Sequence, residues 1–394
     1  MISKYYIKIY DEDLISFDID NSFGITIKNI EILNNNKNIY PVMLQKEINE
    51  VTILNFINSR IIPKNRTFVE QILNSLGLTL NDRKGIIDVS LGLSLTDSYW
   101  IVKDNTLKYD KYNLYDNDFS EALSLVAFTG YQSKIKELIT SPELTTNGML
   151  PKAWRRINKE ILLYKGSSKS LGAINTGYEP YSEFFATQLL NKLNYHHVNY
   201  YLDKWKGMIV SVCPLFTSKE CSYVQIGDLI DNIDIIKTAN YFYEQGYFDD
   251  FSNMILFDAL VMNTDRHFGN FGLIRHNKTG KFISMAPIFD NGNTLLSMEL
   301  PTDLENREKV IEIITAKEKN ISFYGISYDD LVLKFCNKKH IKDLNLLANF
   351  KFNIDEKYGF SKKRMDNLSF MIRYRAKHFI DLLEKQDNSF IDEQ

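Results

Sequence analysis

The spacing of apolar residues changes character along the chain. Strand-like runs with isolated helices fill the first 214 residues, and helical spacing prevails from about residue 228 onward. Alternation predicts strands over residues 5–9 and 23–30. Phe68, Ile72 and Leu76 fall at helical spacing and predict a helix over 67–76, with Thr67 as its N-cap and Glu70 as the capping-box partner. Residues 91–102 read as an ordered, partly buried segment. Residues 152–156 alternate polar and apolar side chains, Asn158-Lys159 is a turn, and residues 160–166 resume a strand, so a hairpin is expected. A serine-rich loop (Ser167, Ser168, Ser170) separates it from a helix over 183–193, in which Phe184, Leu189, Leu190 and Leu193 are in register. Residues 208–213 form a buried strand that stops at Pro214, and strong helices are predicted over 251–261 and 365–384. The expected class is α+β, a β-rich part followed by an α-rich part. There is no internal repeat and no low-complexity tract.

A length of 394 residues allows two or three domains, or one large two-lobed enzyme with an extension. A net charge of −3 gives no global electrostatic case for nucleic acid or anionic membrane as the main partner. The charged N-terminus does not read as a signal peptide, and the uncharged stretch around residues 207–218 is far too short to span a bilayer, which takes roughly 20 apolar residues. Cys213, Cys221 and Cys336 form no Cys-x-x-Cys pair, so a reducing, cytoplasmic setting is expected.

Chemistry concentrates in two runs: Val261-Met262-Asn263-Thr264-Asp265-Arg266-His267-Phe268-Gly269-Asn270 and Ala286-Pro287-Ile288-Phe289-Asp290-Asn291-Gly292. An Asp, an Asn five positions on and a second Asp twenty positions later are what phosphoryl transfer from ATP needs. One carboxylate orients or deprotonates the incoming hydroxyl, while an amide oxygen and another carboxylate hold Mg²⁺ on the phosphates. Asp265 is the candidate base, with Asn270 and Asp290 as metal ligands. The bland alternatives are helix-cap chemistry for Asn263-Thr264-Asp265 and an ordinary Asp-Asn-Gly turn at 290–292, with Gly292 permitting the tight turn. The run Ala286-Pro287-Ile288-Phe289 is expected to fix Asp290 at a strand end. His267 is expected chiefly to pack and hydrogen-bond within the loop. Arg266 either positions the loop or stabilises charge on the transferred group.

Asn-Thr-Asp-Arg-His followed by Ala-Pro-Ile-Phe-Asp resembles the HipA-like (HipA- and CtkA-type) serine/threonine kinases of the protein-kinase-like superfamily. The Asp-Arg-His order is shared with phosphatidylinositol 3- and 4-kinases. The resemblance covers about residues 125 to 385 and implies a two-lobed protein-kinase-like fold, with a β-rich N-lobe over 121–220 and a helical C-lobe over 221–394; an accessory α+β domain over 1–120 is expected to precede the lobes. It implies ATP and Mg²⁺ as cofactors and a protein serine or threonine as acceptor, with Asp265, Arg266 and His267 in the catalytic loop. Lys165 matches the strand lysine that contacts the ATP phosphates, and Glu183, with Glu179 as the fallback, matches its helix partner. Residues 145–152 fall where the phosphate-covering loop lies, so Gly148 and Lys152 are expected at phosphate. This loop has one glycine and lacks G-x-G-x-x-G. Val212, Cys213 and Phe216 fall at the adenine-binding hinge. An antitoxin or other regulatory partner is expected, and no membrane or direct nucleic-acid contact. The rival readings are a small-molecule or lipid kinase and a kinase-like interaction scaffold. The basic run Lys362-Lys363-Arg364, Arg373, Arg375 and Lys377 reads as one solvated helix face.

Overall fold

The computed structural model describes residues 2–22, 24–135, 140–171, 176–318 and 322–386. The chain divides into two compact units, each assembled from separate stretches. The first comprises Met1–Gly166, Val212–Leu229 and Gly272–Ser284; the second comprises Ser167–Ser211, Ile230–Phe271 and Met285–Gln394. No helix among the described residues is long and apolar enough to cross a membrane.

The first unit opens with an antiparallel sheet in the order Thr26–Ile32, Glu12–Asp20, Ile2–Ile9, Tyr99–Val102. Its register sets Tyr5 opposite Phe17 and Ile7 opposite both Ile15 and Ile101. Alternation therefore gathers Tyr5, Ile7, Ile9, Phe17 and Ile19 into one buried cluster. Ile53, Phe56 and Ile57 of the helix Glu50–Ser59 complete that core. The helix is started by a reciprocal cap in which Asn49 and Thr52 each accept the other's backbone N–H. The strand expected over 23–30 is found at Thr26–Ile32; Phe23 lies outside the described residues.

The helix expected over 67–76 is shorter, at Val69–Asn74, and Thr67 does not cap it. Phe68 holds the N-cap position with φ +62° and no side-chain cap. The Thr67 N–H and hydroxyl both donate to the Met149 carbonyl, at 2.8 and 2.6 Å. That carbonyl sits in an irregular loop that needs donors, and the tertiary contact overrides the local cap. The hairpin is as expected: Lys152–Ile157 and Glu160–Lys165 pair antiparallel across Asn158 and Lys159, which carry φ +51° and +71°. Met208–Pro214 neighbours Glu160–Lys165 in the same sheet. A further sheet runs in the order Phe282–Met285, Gly272–His276, Cys221–Gln225.

The second unit is mostly helical. At its centre is Phe248–Val261, in which every residue from Phe251 onward except Asn253 is buried. A helix apolar on all sides belongs in a core. The long helix Lys362–Glu384 packs against it, and this corrects the expectation of a solvated basic face. Arg364 is 2% exposed and Arg375 fully buried. Arg375 donates to the Ala259 carbonyl at 2.9 Å and pairs with Glu318 at 3.0 Å. Arg364 stacks 3.5 Å from the Tyr178 ring centroid, and burial pushes its guanidinium down to about 10. Both side chains fall on the buried stripe of an amphipathic helix, which a count of basic residues does not register.

On the same helix His378 pairs with Asp329 of Tyr328–Phe335 at 2.9 Å, and the hydrogen bond to that carboxylate raises the imidazole above its ordinary value. A raised histidine contributes stability that is complete below the unfolded value and lost as pH rises through the folded one. The melting temperature of His378→Gln is therefore expected to fall below wild type at about pH 5.5, with the gap closing by about pH 8.5. A gap that is constant across this range, measured by thermal denaturation, would exclude the ion pair as its source.

Candidate active site

The site grows from one buried charge. Asp258 is the only ionisable residue between Phe251 and Val261, and it is 3% exposed. A lone carboxylate there is costly by several kcal/mol. The chain turns back at Met262, whose φ of +53° is unusual for a side chain with a Cβ, and Asn263 N–H closes on the Asp258 carbonyl at 2.9 Å. This return brings Arg266 onto Asp258: Nε to Oδ2 at 2.9 Å and Nη2 to Oδ1 at 3.0 Å, a bidentate pair. Asn263 adds Nδ2 to Asp258 Oδ1 at 2.8 Å, and its own Oδ1 accepts the Asp265 N–H at 3.0 Å.

Arg266 does more than neutralise Asp258. Its Nη1 donates to the Asn270 carbonyl at 3.1 Å and to the Phe289 carbonyl, and its Nη2 donates to Asn291 Oδ1 at 2.7 Å. Two oxygens bound to one nitrogen lie within about 6 Å of each other. The backbone of Asn270 and the residue before Asp290 are thus drawn together although twenty positions separate the two expected ligands. The Asp258 carboxylate raises the Arg266 guanidinium well above its ordinary value against an opposing effect of burial, so its charge is fixed.

Around this clamp the polar side chains are individually aimed. Asn270 Nδ2 donates to the Asp265 carbonyl at 3.1 Å, which leaves its amide oxygen unengaged among the described residues. Asn293 Nδ2 donates to Asp265 Oδ2 at 2.8 Å, which leaves Oδ1 as the open carboxylate oxygen. Asn293 was not legible in the motif; its carbonyl also accepts the Thr264 N–H at 3.3 Å, so it aligns the whole loop. His267 accepts the Gly269 N–H on Nδ1 at 3.1 Å, a loop-closing bond of the kind expected. Asp290 itself has φ +56°, a left-handed conformation that a non-glycine residue adopts when its surroundings over-determine it. Its N–H donates to the Tyr200 hydroxyl at 3.3 Å, and the next N–H, of Asn291, donates to Glu183 Oε2 at 2.9 Å.

Two expectations need correction here. The segment before Asp290 is not a strand; it makes a single parallel bridge between Ile288 and His197. Gly292 does not supply the left-handed turn, which falls on Asp290. Its lack of a side chain serves close packing instead, since a Cβ there would lie 3.3 Å from the Cβ of Glu179. Glu179 in turn accepts the Ser168 N–H at 3.3 Å. Asp265, Arg266, His267, Asn270, Asp290 and Glu183 all belong to the second unit.

Lys165, Lys152, Gly148, Val212, Cys213 and Phe216 belong to the first. Lys152 and Lys165 are register partners across the hairpin, both 8% exposed. The loop before Lys152 is nailed at its base by the buried pair Arg66–Glu143. Arg66 also donates to the carbonyls of Glu143, Thr146 and Lys152, at 2.7, 3.2 and 3.1 Å. At the exposed tip, Gly148 has φ +94°, and a Cβ there would sit 2.2 Å from Lys152 Nζ, which donates to the Asn147 carbonyl at 2.9 Å. Val212 and Cys213 are buried within their strand, and Phe216 packs edge-on against Tyr223 at 5.6 Å.

No cluster of three or more histidine, cysteine or carboxylate side chains forms a metal cage among the described residues. Mg²⁺ bound on phosphates needs only one or two carboxylates, with phosphate oxygens and water completing the shell. The Asn270 amide oxygen and the Asp290 carboxylate are a donor set of that kind.

Arg266→Met, which strands Asp258, is expected to destabilise the protein by about 3–5 kcal/mol. The double variant Asp258→Leu/Arg266→Met is expected to recover part of that loss, because no uncompensated charge remains. Urea unfolding of these two variants and of Asp258→Leu checks this; strictly additive single effects would show that the two charges are not coupled.

No family model and no curated protein matches the chain. Among solved structures, the proinflammatory kinase CtkA of Helicobacter pylori aligns over 60% of this chain and 91% of that one, at 21% identity and a TM-score of 0.48. HipA of the Shewanella oneidensis MR-1 toxin–antitoxin system, solved with HipB and its operator DNA, aligns over 97% of this chain and 98% of that one. Its identity is 10% and its TM-score 0.56. At such identity the likeness is one of fold: this chain has a mixed α and β architecture similar to that of HipA along nearly its whole length.

Proposed function

We propose that this chain is an ATP- and Mg²⁺-dependent kinase of HipA type that transfers the γ-phosphoryl group to a serine or threonine hydroxyl of a protein. The observation that carries the reading is the Arg266 clamp, which ties the Asn270 and Phe289 backbones and the Asn291 side chain to one guanidinium. Nothing in simple loop capping requires that arrangement. By the resemblance, Lys165, Lys152 and the loop bearing Gly148 are assigned to the phosphates, Glu183 to the helix-glutamate role, and Val212, Cys213 and Phe216 to the adenine. The HipA structure contains HipB, and an antitoxin-like regulatory partner is proposed here by that likeness.

The step follows from the aimed groups. Asp265 Oδ1 accepts the hydrogen of the acceptor hydroxyl while Asn293 holds Oδ2. The acceptor oxygen forms a bond to the γ-phosphorus as the bond from that phosphorus to the β,γ-bridging oxygen breaks. ADP leaves with the bridging electron pair, and the hydroxyl proton passes by way of Asp265 to solvent. A loose transition state asks Asp265 for orientation more than for base strength. Asn270 and Asp290 would hold Mg²⁺, which would supply neutralisation of phosphate charge.

Transfer of labelled γ-phosphate, with phosphosites read by mass spectrometry, tests the reading. Asp265→Ala and Asp290→Ala are expected to lower the rate about 10²- to 10⁴-fold, and Asn293→Ala about tenfold, because only the orientation of Asp265 is loosened. ATP binding without label on any protein would move the acceptor to a small molecule. Absence of ATP binding would overturn the kinase reading.

A further inference from the structure

Residues 322–326 are used by none of the chemistry above, yet they hold a large apolar ring in solvent beside it. The segment is a closed turn: Ser322 N–H donates to the Ile326 carbonyl at 2.8 Å, and Gly325 N–H donates back to the Ser322 carbonyl at 3.0 Å. Gly325 takes φ +79°, which the turn requires. The turn sends two adjacent aromatic residues to different surroundings. The Tyr324 hydroxyl is buried without a hydrogen-bond partner among the described residues, within the influence of Asp258 and Arg266. Phe323 is 46% exposed. Its ring lies 6.2 Å from that of His267 and edge-on to Phe268 at 6.0 Å. The Tyr324 ring packs 5.8 Å from that of Phe268 and so holds the turn on the Asp265 loop, and Phe323 stands as a half-open platform against the same loop.

His267 is two residues from Asp265, a backbone span of no more than about 7 Å. An extended peptide covers the same distance in two residues. The Phe323 ring lies a further 6.2 Å from that of His267, a gap that a long apolar side chain on a residue one or two positions from an acceptor hydroxyl at Asp265 spans. Phe323 carries no charge and no hydrogen-bonding group, so what it selects is apolar surface.

We infer that Phe323 is a specificity-determining residue that receives an apolar side chain of the protein substrate, one or two positions from the phosphoacceptor. The inference rests on the proposed protein-kinase reading and deepens it. It concerns the acceptor's sequence, which the catalytic trio does not specify.

The test uses the full chain and peptides with a central serine or threonine, each flanking position set in turn to leucine, glycine, lysine or glutamate. Wild type is expected to favour leucine over glycine about tenfold in kcat/KM at one flanking position. Phe323→Ala is expected to bring that ratio close to one, Phe323→Leu to retain most of it, and Phe323→Glu to move the preference to lysine at the same position. The glutamate variant reads the contact through charge, so the test survives if the alanine variant folds poorly. An apolar preference absent from wild type, or unchanged in Phe323→Ala and Phe323→Glu, overturns the inference and leaves the kinase reading standing. ATP turnover without phosphorylation of any peptide or protein overturns the acceptor class and this inference with it.

Discussion

A carboxylate inside the apolar helix Phe248–Val261 sets the conditions for the candidate site. Asp258 is tolerable there only while paired and hydrogen-bonded. Arg266 and Asn263 supply that company because the helix ends at a left-handed Met262 and the chain doubles back. Once Arg266 is committed inward, its neighbours Asp265 and His267 are left partly open. The remaining guanidinium N–H groups collect the Asn270 and Phe289 carbonyls and the Asn291 amide. The placement of the Asp265 carboxylate is thus inherited from an interaction between two other side chains.

The same device recurs in the first unit. Arg66 gathers three carbonyls around the loop that precedes Lys152. Arg275 donates to the carbonyls of Tyr40, Asn38 and Gly280 and to the Tyr99 hydroxyl. The Lys219 carbonyl shows the converse arrangement, accepting from Tyr10, Ser98 and Asn277 at 2.6, 2.7 and 2.9 Å. Irregular backbone lacks ladder partners, so its buried carbonyls must find donors elsewhere. A planar guanidinium with five N–H groups can serve several at once. Loops fixed in this way can be ordered without being regular.

What the sequence disclosed and what it hid follow from the range of the interactions. The hairpin around Asn158-Lys159, the helices near 183–193 and 251–261 and the strand near 208–213 are set by local periodicity and turn chemistry, and all were legible. The loop holding Asp265 and Asn270 was legible because its chemistry is packed into ten consecutive residues. Asn293 and Phe323 were not, because each reaches the loop from 28 or more positions away. Thr67 misled because a cap and a donor to a distant carbonyl look alike in sequence. Arg364 and Arg375 misled because a basic residue was assumed to seek water. Asp258 left one trace, a lone charge amid apolar neighbours, that a search for buried pairs could have used.

Between Asn270 and Asp290 the chain leaves the second unit, forms the Gly272–His276 and Phe282–Met285 strands, and returns; in all it passes between the units five times. Neither unit is therefore a cassette that a single gene fusion could graft onto another protein or trim from this one. A recombination point placed anywhere between residues 167 and 284 leaves both units holding fragments of two parents. A crossover outside that stretch leaves one of the two units wholly from a single parent.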